Sequence, residues 1–365
     1  MLLATAACGA NGDDAPARAA GDSDQLLIRR DVDRFVSLSE GVRFPEGITA
    51  NPANGDIYVG TFDVPSDANP NPKNKLLRFD RHGELIASHD FGTTPLLGLA
   101  FDHANNQVYI ADAGNFAGAT SKIQRIAADL TGVTDVAVIP EIGPPEPRPV
   151  GNPDGSSDTI TFGDHAHVPN AMVFDSRRNL YVSDSFQGAV FKVTDPQACA
   201  PNCPVETFSH DPLLATPGMP PFGANGLVFN GDESALFIAN TGDDRLLRLD
   251  MASGTKKVSI LAENINGADG IAFDRHGRLW VAANQADEVV ALSETGRVVA
   301  ELGEFRGIRR DDGTPDGLLF PASLVIVDDD MFVTNLAASI TEATGDEPEE
   351  DVRRWTVSHV KVPTP

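Results

Sequence analysis

Basic residues are scarce in this chain: 28 Lys and Arg stand against 53 Asp and Glu, a formal charge of −25. Such a balance repels phosphate backbones and anionic lipid, so nucleic acid is excluded as a partner. Long apolar runs are missing too. None approaches the ~18 residues of a membrane span, which leaves an N-terminal lipid anchor as the one membrane link to consider. Cysteine is nearly absent, with three residues in 365, and there is no second pair to complete the about four ligands of a structural zinc site. What the chain does have is 41% hydrophobic residues to build a core, with 33 Gly and 26 Pro to punctuate it. This composition fits a soluble, turn-rich domain.

The three cysteines divide by position. Cys8 closes MLLATAAC and is followed by the polar stretch GANGDDAPARAAGDSD, an arrangement similar to a bacterial lipoprotein signal and its tether. The expected organisation is a signal remnant and linker over 1–24, lipidated at Cys8, and one globular domain over 25–365. It departs from the usual signal in having no basic residues ahead of the apolar part and Thr5 where a bulky aliphatic residue is usual. Export would place the protein in the periplasm or on the cell surface. In an oxidising compartment Cys199 and Cys203, in ACAPNCP, read as a small loop-closing disulfide.

One unit recurs along the chain: a polar residue, a short apolar run, a turn of Asp, Asn or Gly, and a second apolar run containing an aromatic. Six copies are legible, PEGITANPANGDIYVGTF, LLGLAFDHANNQVYIADA, VPNAMVFDSRRNLYVSDS, ANGLVFNGDESALFIANT, ADGIAFDRHGRLWVAAN and ASLVIVDDDMFVTNL. The runs are too short for helices and are bracketed by turn residues, so each copy predicts a two-stranded hairpin. KLLRFD, AVFKV, RLLRLD and EVVALS supply third strands behind several copies. The fold class this predicts is all-β, a six-bladed β-propeller. FVSLSEGVRF and WTVSHVKV fall outside the count, and one of them is expected to complete the last blade.

If each first run is the innermost strand of a blade, the residue just before it sits at one mouth of the central channel. In the six copies that residue is Glu46, Leu97, Asn170, Asn225, Asp269 and Ala322. Four of these carry side-chain oxygens, and the two negative charges match a hard divalent cation, with calcium the best fit. The lack of His and Cys in the ring argues against zinc or copper.

The motifs that carry these residues resemble a family. PEG with Glu46, ANGLVF with Asn225 and ADGIAFD with Asp269 are similar to elements of the six-bladed calcium-dependent hydrolases of the gluconolactonase and senescence marker protein (regucalcin) type, which are related to the paraoxonases. Asn170 in VPNAM falls in order for the remaining amide. The resemblance implies that Glu46, Asn170, Asn225 and Asp269 bind calcium, or another divalent cation, and that the protein hydrolyses a lactone or related ester. It makes Asp269 the first candidate for activating water, with His165 and His167 of GDHAHVPN as competitors. The sugar-lactone members carry Arg-x-Asn-Asp-Gly around the Asn matched by Asn170, where this chain has HVPNAM.

The long segment 141–167 and the loops LLATPGMPPFGA and EFRGIRRDDGTPDGLLFP are expected to overhang the metal, with Phe222, Phe320 and Leu97 against a small-molecule substrate. The acidic run EATGDEPEEDVRR reads as a solvated loop. The protein is expected to act as a monomer. The alternative reading is a non-catalytic NHL-type propeller that binds a ligand or a partner protein, its calcium only structural.

Overall fold

In the computed structural model the chain forms a six-bladed β-propeller. The structure describes residues 26–67, 69–114, 120–163, 167–340, 345 and 347–364; Cys8 with its flanking segment, and His165, lie outside them. The innermost strands of blades I to VI are Pro45–Asn51, Leu96–Asp102, Pro169–Phe174, Ala224–Phe229, Ala268–Phe273 and Pro321–Val327. They pack side by side in that cyclic order around the axis. Each pairs antiparallel with the second strand of its own hairpin, so all six repeats fold as their pattern implies.

The core of this molecule is not at its centre. Each of the six blade–blade junctions holds its own apolar cluster, such as Tyr58, Leu76 and Leu96 with Val108 and Ile110 between blades I and II. Alternating side chains on the two faces of a blade serve two different junctions, which is why second strands such as Asp56–Thr61 are buried along their whole length. Burial of aromatic and aliphatic side chains, at about 1.5–3 kcal/mol each, supplies the main stabilising term.

The ring closes through both segments left outside the repeat count. Thr356–Lys361 is the third strand of blade VI and Asp33–Ser37 the fourth, so the two ends of the chain pair in one sheet. The expectation of a single closing segment is thereby corrected. A further strand, Leu27–Arg29, adds in parallel to the edge of blade V. Cys199 and Cys203 are joined by a disulfide, with Cα atoms 4.9 Å apart, beside the short helix Pro196–Cys199.

Candidate functional site

The oxygen-bearing residues do not precede the inner strands, as expected, but occupy the second position within them. Glu46, Leu97, Asn170, Asn225, Asp269 and Ala322 are each residue two of their strand. Pairing then shifts register at the same place in all six blades: Ala224 faces Asn240, for example, while the next pair is Leu227 with Ile238. Two residues, Asn225 and Gly226, thus stand opposite one, Ala239. A bulge of this kind bends the strand and re-aims a side chain, and here it recurs six times at the same mouth of the channel.

The residue after the ring position is small in every blade because the strands approach closely there. A Cβ at Gly47 would overlap the Leu97 carbonyl, and one at Gly226 the Asp269 carbonyl. Glycine admits that approach of backbone to backbone.

Glu46, Asn170, Asn225 and Asp269 line one cavity of about 190 Å³ at this mouth, together with Leu97, Phe222 and Phe320. All four oxygen donors are buried. Their orientation is set by neighbours. Ser185 Oγ donates to Ala224 O (2.8 Å) and therefore accepts from Asn170 Nδ2 (3.0 Å). Thr241 Oγ1 donates to Ala268 O (2.7 Å) and accepts from Asn225 Nδ2 (3.0 Å). Each hydroxyl has one proton, already committed to a carbonyl, so both amides turn their nitrogen to it and keep the oxygen elsewhere.

The carboxylates are less well satisfied. Asn284 Nδ2 donates to Asp269 Oδ2 (3.1 Å), but Asp269 Oδ1, Glu46 Oε2 and Asn284 Oδ1 are buried with no hydrogen-bond partner. Burial, and then the charge of Asp269, push Glu46 well above the usual carboxylate range. Burial likewise pushes Asp269 up to about 7, against the pull of hydrogen bonds from Asn284 and Asn225. Two adjacent buried acids with unpartnered oxygens are costly as anions unless a cation joins them. Two carboxylates and at least two amide oxygens are the donor set a hard divalent cation takes, so the residues present fit calcium. Among the described residues no group of three or more His, Cys, Asp and Glu side chains is arranged to hold a metal ion.

The remaining expected site residues lie as follows. His167 is not part of the cavity lining; its Nε2 accepts from Ser121 N–H (3.4 Å) and its carbonyl from Ser121 Oγ (2.9 Å). The described part of segment 141–167 does not line the cavity either. It forms a hairpin, Arg148–Gly151 with Ser157–Ile160, tied to blade IV by Arg148 to Asp243 (3.2 Å). Of the two other loops, one contributes Pro220 and Phe222 and the other Phe320. The rest of that last loop is a second hairpin, Phe305–Ile308 with Pro315–Gly317, bound by Arg306 and Arg309 to Asp316.

Three features of the site were not expected. Asn284 reads from sequence as a turn cap like Asp112, Asp184 and Asn240, which do accept backbone N–H groups. It stands one residue beyond the equivalent position, since Asn240 faces Ala224 and Ala283 faces Ala268, and so it turns inward. Thr241 holds the matching place in blade IV; aligning the second-strand ends as the first-strand ends were aligned would have found both. The third feature is the strap of Leu336, Ala338, Ser339 and Ile340 along one wall. It is fastened by Trp355 Nε1 to Leu336 O (2.9 Å) and by Ile340 N to Glu347 Oε2 (2.9 Å), so the acidic run is not wholly a solvated loop.

Residues 221–303, which hold Asn225, Asp269 and Asn284, match the family described as SMP-30/Gluconolactonase/LRE-like region. No curated protein sequence matches the chain. Similar solved structures include a calcium-binding protein, regucalcin, from Agrobacterium tumefaciens (14% identity, 93% of this chain and 98% of that one, TM-score 0.59). A gluconolactonase from Xanthomonas campestris aligns at 13% identity over 94% of this chain and 99% of its own, TM-score 0.52. The virginiamycin B lyase of Staphylococcus aureus aligns at 11% over 90% and 99%, TM-score 0.52. At these identities the likeness is one of fold, and the fold carries more than one chemistry.

Proposed function

We propose that this protein is a calcium-dependent hydrolase acting on a lactone or related ester at the channel mouth. The observation that carries this is the convergence of Glu46, Asn170, Asn225 and Asp269 from four blades on one small cavity, with a carboxylate oxygen of each acid unpartnered. The regional match to the gluconolactonase family supports the reaction class. Those four residues would hold the cation, which when bound supplies a Lewis acid for the acyl oxygen. Ser185 and Thr241 fix the amide oxygens, and Asn284 holds Asp269 by its Oδ2. Asp269 is then the candidate to take a proton from attacking water. Phe222, Phe320 and Leu97 exclude bulk water from the same space.

Turnover of lactones, aryl esters and organophosphates, measured with and without a chelator, tests the proposal. Chelator-sensitive hydrolysis is expected. Calcium binding without turnover across the panel would instead make this a ligand-binding propeller with a structural metal. Export and attachment through Cys8 belong to the same proposal, and the Cys199–Cys203 disulfide favours an oxidising compartment. Palmitate labelling that survives Cys8→Ser would refute the anchor.

A further inference from the structure

The wall of the cavity above the oxygen set is mostly carbon: Phe62, Leu97, Phe222, Phe320, Leu336 and Ile340 face it, with Ser339 beside them. No Lys, Arg or His is among the described lining residues, so nothing there pairs with an anionic substrate. Each side-chain donor group of the floor already gives one hydrogen bond to the protein. Asn170 Nδ2 is given to Ser185, Asn225 Nδ2 to Thr241, Thr241 Oγ1 to Ala268 O and Asn284 Nδ2 to Asp269. The oxygens that remain are those that suit a cation. Above these oxygens Ser339 is the one hydroxyl of the strap, so a substrate carrying several ring hydroxyls would bury most of them against carbon, which is unfavourable for each one.

This wall is also held in place. Trp355 and Glu347 fasten the strap at Leu336 and Ile340. Phe320, with φ of +44°, is kept in that left-handed conformation by its N–H donating to Asp287 Oδ1 (2.8 Å). The Phe222 ring lies against Phe186 with centroids 5.3 Å apart. Strain at a non-glycine residue, held by neighbouring contacts, is a mark of a site whose shape is specified. The volume of about 190 Å³ is below the roughly 300–1,000 Å³ of drug-sized pockets, which suits one ring with a short substituent.

We infer that the substrate is a small, uncharged lactone or ester with an alkyl or aryl substituent and without ring hydroxyls. This rests on the hydrolase reading above. In the reaction water's oxygen bonds to the acyl carbon, the acyl C–O bond breaks, and one water proton passes to the freed hydroxyl.

The test compares kcat/KM of the calcium-loaded protein for an alkyl-substituted δ-lactone and a polyhydroxylated δ-lactone of the same ring size. A preference for the alkyl compound of about a hundredfold or more is expected. Phe222→Ser should narrow that preference by about tenfold, chiefly through KM, with calcium affinity as in the wild type. Equal or better turnover of the hydroxylated lactone overturns this inference and leaves the hydrolase reading standing. If no lactone or ester is turned over, the hydrolase reading fails, and calorimetry with the corresponding alkyl-substituted δ-lactam decides the pocket. Binding of that lactam in preference to a hydroxylated one upholds an apolar ligand, and absence of binding overturns it.

Discussion

The two ends of the channel are built from the same strands and the same residue types, yet they use them differently. At the far ends of the inner strands Asn51, Asp102, Asp175 and Asp274 accept backbone N–H groups from the hairpin turns that follow, at 2.8–3.0 Å. At the near end Glu46 and Asp269 leave an oxygen unpartnered in a buried space. Asp274 and Asp269 lie five residues apart and make the contrast sharp. Burial raises both, but for Asp274 hydrogen bonds from Trp280 and from the Arg278 backbone and side chain prevail and hold it below the usual range. For Asp269 burial prevails. Residue type therefore does not distinguish a turn carboxylate from one left with a free acceptor; the account of its hydrogen bonds does.

The largest effect expected from this contrast is at Asp269. Asp269→Ala should abolish measurable calcium binding in calorimetry and lower kcat/KM at least about a thousandfold, equivalent to about 4 kcal/mol of transition-state stabilisation. In chelator the same variant should be more stable than the wild type at pH 8, because a buried, unpaired charge has been removed. Unchanged calcium affinity would end the metal assignment.

The pH dependence of the chelated wild type gives the second test. Asp269 titrates near 7 in the folded protein against about 3.9 unfolded, so between these values the native state binds more protons and stability falls as pH rises. Glu46, raised by burial and by the charge of Asp269, adds to the same decline, which sets in above about pH 4. Thermal denaturation from pH 4 to 8 should show this decline in chelator and its suppression by saturating calcium. A chelated protein whose stability is flat across that range would mean that the two acids are already satisfied.

Much of this contrast was legible in the sequence, and the limit has a physical cause. The six hairpins were readable because apolar runs and turn residues recur locally. The ring of Glu46, Asn170, Asn225 and Asp269 was readable because the repeat fixes register. The strap was not, because the stretch LAASI carries no motif and its place depends on hydrogen bonds to Trp355 and Glu347 that no pattern in the sequence signals. Asn284 was missed through a single-residue offset, since a one-residue shift turns a strand side chain to the opposite face.

At the far end the opposite sign is expected. Asp274→Ala leaves the buried Trp280 Nε1 (2.9 Å in the wild type) and Arg278 Nε without their acceptor, and the guanidinium without its counter-charge. It should cost about 2–4 kcal/mol in urea denaturation with calcium affinity unchanged. A near-mouth acid whose removal stabilises the metal-free fold and a far-mouth acid whose removal destabilises it would separate the two roles by sign. If both variants destabilise the chelated protein, the near-mouth acids are structural as well.

The smallest effect, and the most specific, concerns Thr241. Its hydroxyl donates to the Ala268 carbonyl in the next blade and accepts from Asn225 Nδ2, so one proton decides which end of the amide faces the cavity. Thr241→Val keeps the shape of the side chain but removes both bonds, and the Asn225 amide is then free to turn its nitrogen toward the cation. Calcium affinity should fall about tenfold to a hundredfold, the usual range for losing a residue that orients a ligand. Thr241→Ser should restore it, because the hydroxyl alone carries the argument. If the valine variant binds calcium as the wild type does, Asn225 is not held as a ligand, and its role is structural, as that of its far-mouth counterparts is.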